Sequence, residues 1–338
     1  MKNKKPILLI LSAAGIAILF FLFKVFGPAA NVPKDNFFYI KTGNNYSDVK
    51  QSLIQQNIIS SPGIFELVSK WLKYPETVKP GRYEIKNGMS IFNLVRMLRN
   101  GRQSPVRLII NKIRTKEDIA AFIGKRFECD SFSVISFFNS NDSLKQFNLD
   151  TNTVVSAIIP NTYIYNWNTN FPKLFQRLYA EHNKFWNDEK KNEATALGLK
   201  PAEVYTLASI VEEETVKEDD KPLIASVYLN RLAKGMKLGA DPTVKFALKN
   251  FALKRIYEKY LFYDSPYNTY KYAGLPPGPI CTPSVKTIDA CLQPAKTNYL
   301  YFVASADRPG FHDFSETYEE HIKLAKKYQE KLDSLNIH

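Results

Sequence analysis

PAEVYTLASIVEEET, residues 201–215, is followed after a short acidic turn by KPLIASVYLNRLAKG, residues 221–235. Both stretches read as helices. Pro201 suits a helix's first turn, and Val204, Leu207, Ala208 and Val211 recur at helical spacing, so one face is apolar. In the second stretch, Leu223, Ile224, Val227, Tyr228, Leu229 and Leu232 form the apolar set between Pro222 and Lys234, and Lys234-Gly235 ends the helix. Further along, YLYFVA at 299–304 reads as a buried strand and His312-Asp313-Phe314 as its neighbour. Helices and short strands that do not alternate regularly indicate an α+β fold class.

Three consecutive acids close the first helix. At about 100° per residue, Glu213 falls opposite the apolar stripe, where it can pair with Lys217 at i+4. Glu212 and Glu214 fall on the two shoulders, Glu212 beside Tyr205 and Ala208, Glu214 beside Leu207. A shoulder carboxyl can be partly shielded by apolar neighbours, which raises its pKa towards the range a general acid needs. An acidic helix end with no chemistry explains the same spacing, and periodicity does not choose between Glu212 and Glu214. After the Asp219-Asp220 turn, Asp241-Pro242-Thr243 opens another helix, with Asp241 as N-cap and Pro242 at N1. The loop Tyr267-Asn268-Thr269-Tyr270 and Gly274 to Pro279 is stiff and rich in aromatics and amides, groups that stack on sugar rings and bond their hydroxyls. A packed proline-rich loop is the plain alternative. His312 either lines a cleft or is an ordinary strand histidine. Thr317 with Glu320 resembles a capping box for the last helix.

Upstream lies a small region with an internal echo. Ile40-Lys41-Thr42-Gly43 precedes the helical pattern Val49, Leu53, Ile54, and Ile85-Lys86-Asn87-Gly88 precedes Ile91, Leu94, Val95, Leu98, with Ser47 and Ser90 as N-caps. A third helix, Phe65 to Leu72, lies between. From Val106 to about Lys200 the pattern is less sharp: a strand at Leu108-Ile109-Ile110, helices over Lys116–Phe127 and Pro172–Lys184, and a strand and turn over Ile158–Tyr163.

At the amino terminus, Ile7 to Phe23 reads ILLILSAAGIAILFFLF without a charge, and Val25 and Phe26 extend it past Lys24. That is close to the ~20 residues that cross hydrocarbon, and longer than the roughly 7–15 residues of a cleaved signal peptide. Lys2, Lys4 and Lys5 precede it, so the positive-inside rule puts the amino terminus in the cytoplasm and the rest outside. Val32 to Asn36 reads as a short polar linker. The expected organisation is therefore residues 1–27 as tip and transmembrane anchor, 37–105 as a small α+β domain, and 106–338 as a larger mixed α+β domain.

The 338 residues carry a net charge of +13, which suggests an anionic partner or simply a lysine-rich surface. No zinc-finger spacing, arginine-rich run or RNP-like strand occurs, which argues against nucleic acid. Cys129, Cys281 and Cys291 form no CxxC pair, which argues against a disulfide framework or a structural zinc site; they read as packing residues.

The chain resembles the endolytic murein transglycosylase (YceG-like) family. The resemblance is carried by LASIVEEET at 207–215, IASVYLNRLAKGMKL at 224–238, DPTVKFAL at 241–248, SPYNTYKYAGLPPGPICTPS at 265–284, PAKTNYLYFVA at 294–304 and HDF at 312–314, with His321 in the final helix. It implies a LysM-like, glycan-binding small domain and a catalytic domain needing one acid, no metal and no cofactor. It also implies that Glu212, the first acid after Ser-Ile-Val, is the catalytic glutamate, with Glu214 supporting. Ser209, Asp241, Asn268, Thr269, Tyr270 and His312 are the expected substrate-binding set. The implied reaction cleaves the bond between N-acetylmuramic acid and N-acetylglucosamine to leave 1,6-anhydromuramic ends and terminate glycan elongation. The implied partners are peptidoglycan strands, the cytoplasmic membrane and peptidoglycan synthases. The family commonly has Glu-Gly before its apolar stretch and then Pro-Asp/Glu-Thr-Tyr, where this chain has Val155-Ser156 and Pro160-Asn161-Thr162-Tyr163. Gly239 stands where the family often has Gln. These departures bear on substrate positioning. A hydrolase, or a non-catalytic wall-binding scaffold, are the competing readings; the chemistry of the cut ends and the effect of Glu212→Gln separate them.

Overall fold

The computed structural model describes residues 5–334. Its elements run α1 (Lys5–Phe26), β1 (Phe37–Ile40), α2 (Tyr46–Gln55), α3 (Pro62–Trp71), β2 (Gly81–Glu84), α4 (Ile91–Asn100), β3 (Val106–Ile109), α5 (Lys116–Gly124), α6 (Ser131–Phe138), α7 (Asn141–Lys145), β4 (Thr162–Tyr165), α8 (Phe171–Phe185), α9 (Asp188–Ala196), α10 (Pro201–Glu214), α11 (Lys221–Ala233), α12 (Asp241–Ala247), α13 (Glu258–Leu261), α14 (Val285–Leu292), β5 (Tyr301–Ala304), β6 (His312–Ser315) and α15 (Tyr318–Ser334). The strands form three two-stranded sheets, β1–β2, β3–β4 and β5–β6. The fold is mixed α+β, as the pattern indicates.

Two compact units emerge. The first runs to Leu108 and takes in Arg126–Cys129 and Ile164–Asn170; the second holds Ile109–Lys125, Asp130–Tyr163 and the chain from Phe171 onward. A linear boundary at residue 105 misses those two later segments. One holds Glu128, whose carboxylate accepts from the Thr42 amide at 2.6 Å and from its hydroxyl at 2.6 Å.

In the first unit, β1 pairs antiparallel with β2 in the register Phe37↔Glu84 to Ile40↔Gly81. Alternate residues Phe38, Ile40 and Tyr83 point into a core completed by Leu53, Phe65, Val68, Leu94 and Leu98. Ser90 caps α4, accepting from the Asn93 amide at 3.2 Å. The cap of α2 is Asn45 rather than Ser47. Asn45 accepts from the Asp48 amide while Asp48 accepts from the Asn45 amide, and this reciprocal box satisfies two otherwise orphaned donors. Residues Leu8–Phe26 of α1 are long and apolar enough to cross a membrane. The helix does not lead into a free linker. Val25 and Ala30 lie in the unit's core, and the Asn31 amide bonds Ile58 O at 2.9 Å.

The second unit is organised around α10. Every residue from Val204 to Val211 is buried, against α9, α11, α12 and α14. An amphipathic helix was expected, so this is a difference. The residues off the apolar stripe are ones a core accepts: Thr206 bonds Ala202 O at 2.8 Å and Tyr205 bonds Ile158 O at 2.6 Å. Each large apolar side chain fully buried there contributes roughly 1.5–3 kcal/mol. β5 and β6 pair antiparallel as read, with Ala304 opposite His312. Cys281 and Cys291 are buried and Cys129 is half-buried, all three as free thiols.

Candidate active site

The three acids at the end of α10 have three different surroundings. Glu213 does not face solvent or pair with Lys217. Its carboxylate bonds Arg114 Nε at 3.1 Å and Nη2 at 2.9 Å and reaches Lys112 Nζ at 3.2 Å. Lys217 lies over the Phe311 ring instead, 4.7 Å from its centroid.

Glu212 is turned towards α14. Its Oε2 accepts from Ser284 Oγ at 3.0 Å, from Thr287 Oγ1, and from the buried Lys221 Nζ at 3.5 Å. Ser284 is also the N-cap of α14, so the carboxylate sits at a helix N-terminus, where negative charge is favoured. Its side chain is 15% exposed. Half-shielding is therefore present, but polar donors and a lysine make the shield. Glu212 ties α10 to α11 and α14.

Glu214 is shielded differently. Burial pushes its pKa up to about 7, partly offset by the hydrogen bond from Tyr228. That bond, Tyr228 Oη to Glu214 Oε1, is 2.6 Å long. Oε2 has no protein hydrogen bond among the described residues. Glu214 also lines two adjoining clefts. One, of about 460 Å³, is also lined by Glu212 and is walled by Val216, Ala304, Phe311 and His312. The other, of about 380 Å³, is walled by Arg231, Asp241, Tyr270, Tyr301 and His321.

Of the expected substrate-binding residues, Asp241, Tyr270 and His312 line these clefts. Asp241 is the first residue of α12, not its cap, because Ala240 takes that place. Its carboxylate accepts from Tyr270 Oη at 2.6 Å. His312 is fixed by Asp220, whose Oδ2 accepts from the His312 amide at 2.8 Å and lies 2.9 Å from Nδ1. Ser209, Asn268 and Thr269 are buried and line neither cleft. Ser209 is fully buried, donating to Thr206 O at 2.7 Å and accepting from the Ile280 amide at 2.9 Å. Asn268 spends its amide on Leu261 O and Tyr263 O, and Thr269 bonds the Ala240 amide at 2.9 Å. Tyr228, Asp220, Arg231 and Lys221 also touch the site; Tyr228 and Arg231 fall within the 224–238 stretch, where Tyr228 reads as core from spacing alone, and Asp220 and Lys221 carry no local signal.

The departures from the family pattern have simple surroundings. Gly239 takes φ +57, and a β-carbon there would meet Arg231 Nη1 at 3.5 Å and Tyr270 at 3.6 Å, so its absence leaves the second cleft wider. Ser156 bonds Thr153 O at 2.7 Å, and Asn161 O accepts from the Ile110 amide at 3.0 Å. Val155 is buried.

Adjoining clefts lined by Glu212 and Glu214 and flanked by tyrosines, histidines and an arginine define a candidate glycan-cleaving domain. Residues 38–327 match the YceG-like family, and the chain belongs to that family. It is 30% identical to the endolytic murein transglycosylase of Bacillus subtilis, over 86% of this chain and 83% of that protein. It is 26% identical to the endolytic murein transglycosylase of Streptococcus pneumoniae, of which it spans 58%. A crystal structure of a yceG-like protein from Listeria monocytogenes aligns with a TM-score of 0.59 at 29% identity, over 86% of this chain and 99% of that one.

Proposed function

We propose that this chain is a peptidoglycan lytic transglycosylase whose acid and base is Glu212, held to a membrane by α1. The observation that carries the assignment is the setting of Glu212: it lines the first cleft, 15% exposed, with Oε2 oriented by Ser284, Thr287 and Lys221. The resemblance, in which the first acid after Ser-Ile-Val is the catalytic one, supports the same residue. Glu214, two residues on, lines both clefts and is the supporting acid.

Protonated Glu212 donates its proton to the glycosidic oxygen between N-acetylmuramic acid and N-acetylglucosamine, and the C1–O bond breaks. The carboxylate so formed accepts the proton of the sugar's own C6 hydroxyl as that oxygen bonds to C1. A 1,6-anhydromuramic end results, and the acid is regenerated protonated. The intramolecular nucleophile gains effective molarity and needs no activated water. Clefts on both sides of Glu214 suit a strand bound across the site, and hence cutting within strands. An outward-facing catalytic unit on a single-pass cytoplasmic-membrane anchor would meet nascent strands and end their elongation beside the synthases. Glycan binding by the first unit is part of this reading, supported by the family's small domain and by the paired strands β1 and β2 bracketing two helices.

Asp241, in the second cleft with Glu214, favours one rival: hydrolysis, for which most glycosidases use two carboxylates. Digestion of purified glycan strands by the full chain, with mass spectrometry of the ends, decides. Anhydro ends are expected; reducing ends would mean hydrolysis. Glu212→Gln should lose on the order of 10²–10⁴ in rate. If Glu214→Gln abolishes cleavage in a folded protein and Glu212→Gln does not, the assignment moves to Glu214.

A further inference from the structure

The carboxyl end of α1 is packed into the first unit. Val25 is 2% exposed within the core, and the Ala30 amide bonds Met89 O at 2.9 Å. Beside this junction lies an apolar surface with no protein cover. Phe26 meets the Phe92 ring at 5.1 Å, and Phe92 meets Trp71 at 5.8 Å. Trp71 is 63% exposed, and Leu67, one turn earlier on α3, is 49% exposed. Along α4 the stripe continues from Phe92 to Arg96 and Arg99 at i+4 and i+7, and the Arg96 guanidinium lies 5.6 Å from the Phe92 ring. Lys70 stands beside Trp71 on α3.

Exposed aromatics clustered in this way mark an interaction surface. Aromatic rings mixed with arginine and lysine are the composition of the membrane–water boundary, where the ring sits at headgroup level and the cation reaches outward. The apolar run of α1 ends at Phe26, and Trp71 is two ring contacts away. Each interfacial layer is roughly 5–8 Å thick, so a helix that crosses hydrocarbon up to Phe26 carries Phe92 and Trp71 into or against that layer.

We propose that the face formed by Phe26, Leu67, Trp71 and Phe92, with Arg96 and Arg99 at its margin, docks on the lipid surface around α1. The first unit is then seated on the bilayer and not suspended above it. The inference rests on the reading of α1 as an anchor. The basic margin adds a preference for anionic headgroups.

The test uses the full chain reconstituted in vesicles of phosphatidylcholine and phosphatidylglycerol, with plain or brominated acyl chains. Trp71→Phe assigns the Trp71 emission against Trp167 and Trp186. The expected result is that brominated lipid removes most of the Trp71 component and that acrylamide hardly quenches it. Leu67→Glu, an exposed change, should weaken the lipid quenching. Trp71 emission that acrylamide quenches and bromine spares overturns the docking. So does emission shielded from both, which would mean a second copy or another protein covers the face. Flotation separates the two levels: a chain that fails to float with vesicles overturns the anchor and the docking together, whereas one that floats with Trp71 in water overturns the docking alone.

Discussion

Tyr228 on α11 donates its hydroxyl to Glu214 Oε1 on α10 at 2.6 Å. The bond opposes the effect of burial, since it stabilises the charged carboxylate while the apolar surroundings disfavour it. Burial wins, and the group titrates at about 7. The bond also occupies one oxygen, so the proton resides on Oε2. Tyr228→Phe should therefore raise the Glu214 pKa further. A carboxyl-carbon NMR titration of Glu214 should show its midpoint moved to higher pH. A midpoint that stays in place in Tyr228→Phe would mean that the bond does not stabilise the carboxylate.

The same shift has a consequence for stability. The folded-state pKa of about 7 lies above the ordinary value of 4.5. Below the unfolded pKa both states are protonated and the group is neutral in effect. Between pH 4.5 and 7 the unfolded state gives up the proton while the folded state keeps it, so stability falls across that window, by on the order of 3 kcal/mol once pH exceeds 7, at 1.36 kcal/mol per pKa unit. Glu214→Gln should consequently raise the melting temperature above pH 7 and change it little below pH 4.5, as read by calorimetry across that range. Equal shifts at both ends would mean that the carboxyl is not titrating as described.

The sequence made the position of α10 legible, along with the two clefted strands and the acid cluster, because apolar spacing and helix ends are local signals. It did not distinguish the three acids, because their differences come from partners far along the chain. Glu213 is held by Lys112 and Arg114, and Glu212 by Ser284 and Thr287, whereas a helical wheel offers only Lys217. The same limit applies to Ser209 and Asn268. Their residue types suit sugars, but their hydrogen bonds were already committed to backbone at Ile280, Leu261 and Tyr263.

Asp220 provides a test of the cleft wall. One oxygen, Oδ2, holds both the amide and Nδ1 of His312, and so fixes the start of β6 and the ring that faces the first cleft. Asp220→Asn keeps the shape and removes the charge. It should cost about 1.5–3 kcal/mol, the range for hydrogen bonds to charged groups. The effect on glycan cleavage should fall on KM more than on kcat if the cleft-lining His312 positions substrate. A loss confined to kcat would instead place His312 in the chemistry.

Ser209 separates a structural hydroxyl from a sugar-binding one. It sits on α10 one turn before Glu213, and its Oγ receives the Ile280 amide at 2.9 Å while donating to Thr206 O at 2.7 Å. Ser209→Ala removes the only side-chain acceptor of that amide and leaves a buried donor unsatisfied, which costs roughly 1–3 kcal/mol. In a chain of this size each kcal/mol lowers the melting temperature by about 2–4 °C. KM for glycan strands, measured well below the melting transition, should be unchanged, because the hydroxyl has no route to the cleft. A raised KM with an unaltered melting temperature would return Ser209 to the substrate-binding set, and would mean that the Ile280 segment moves aside when a strand binds.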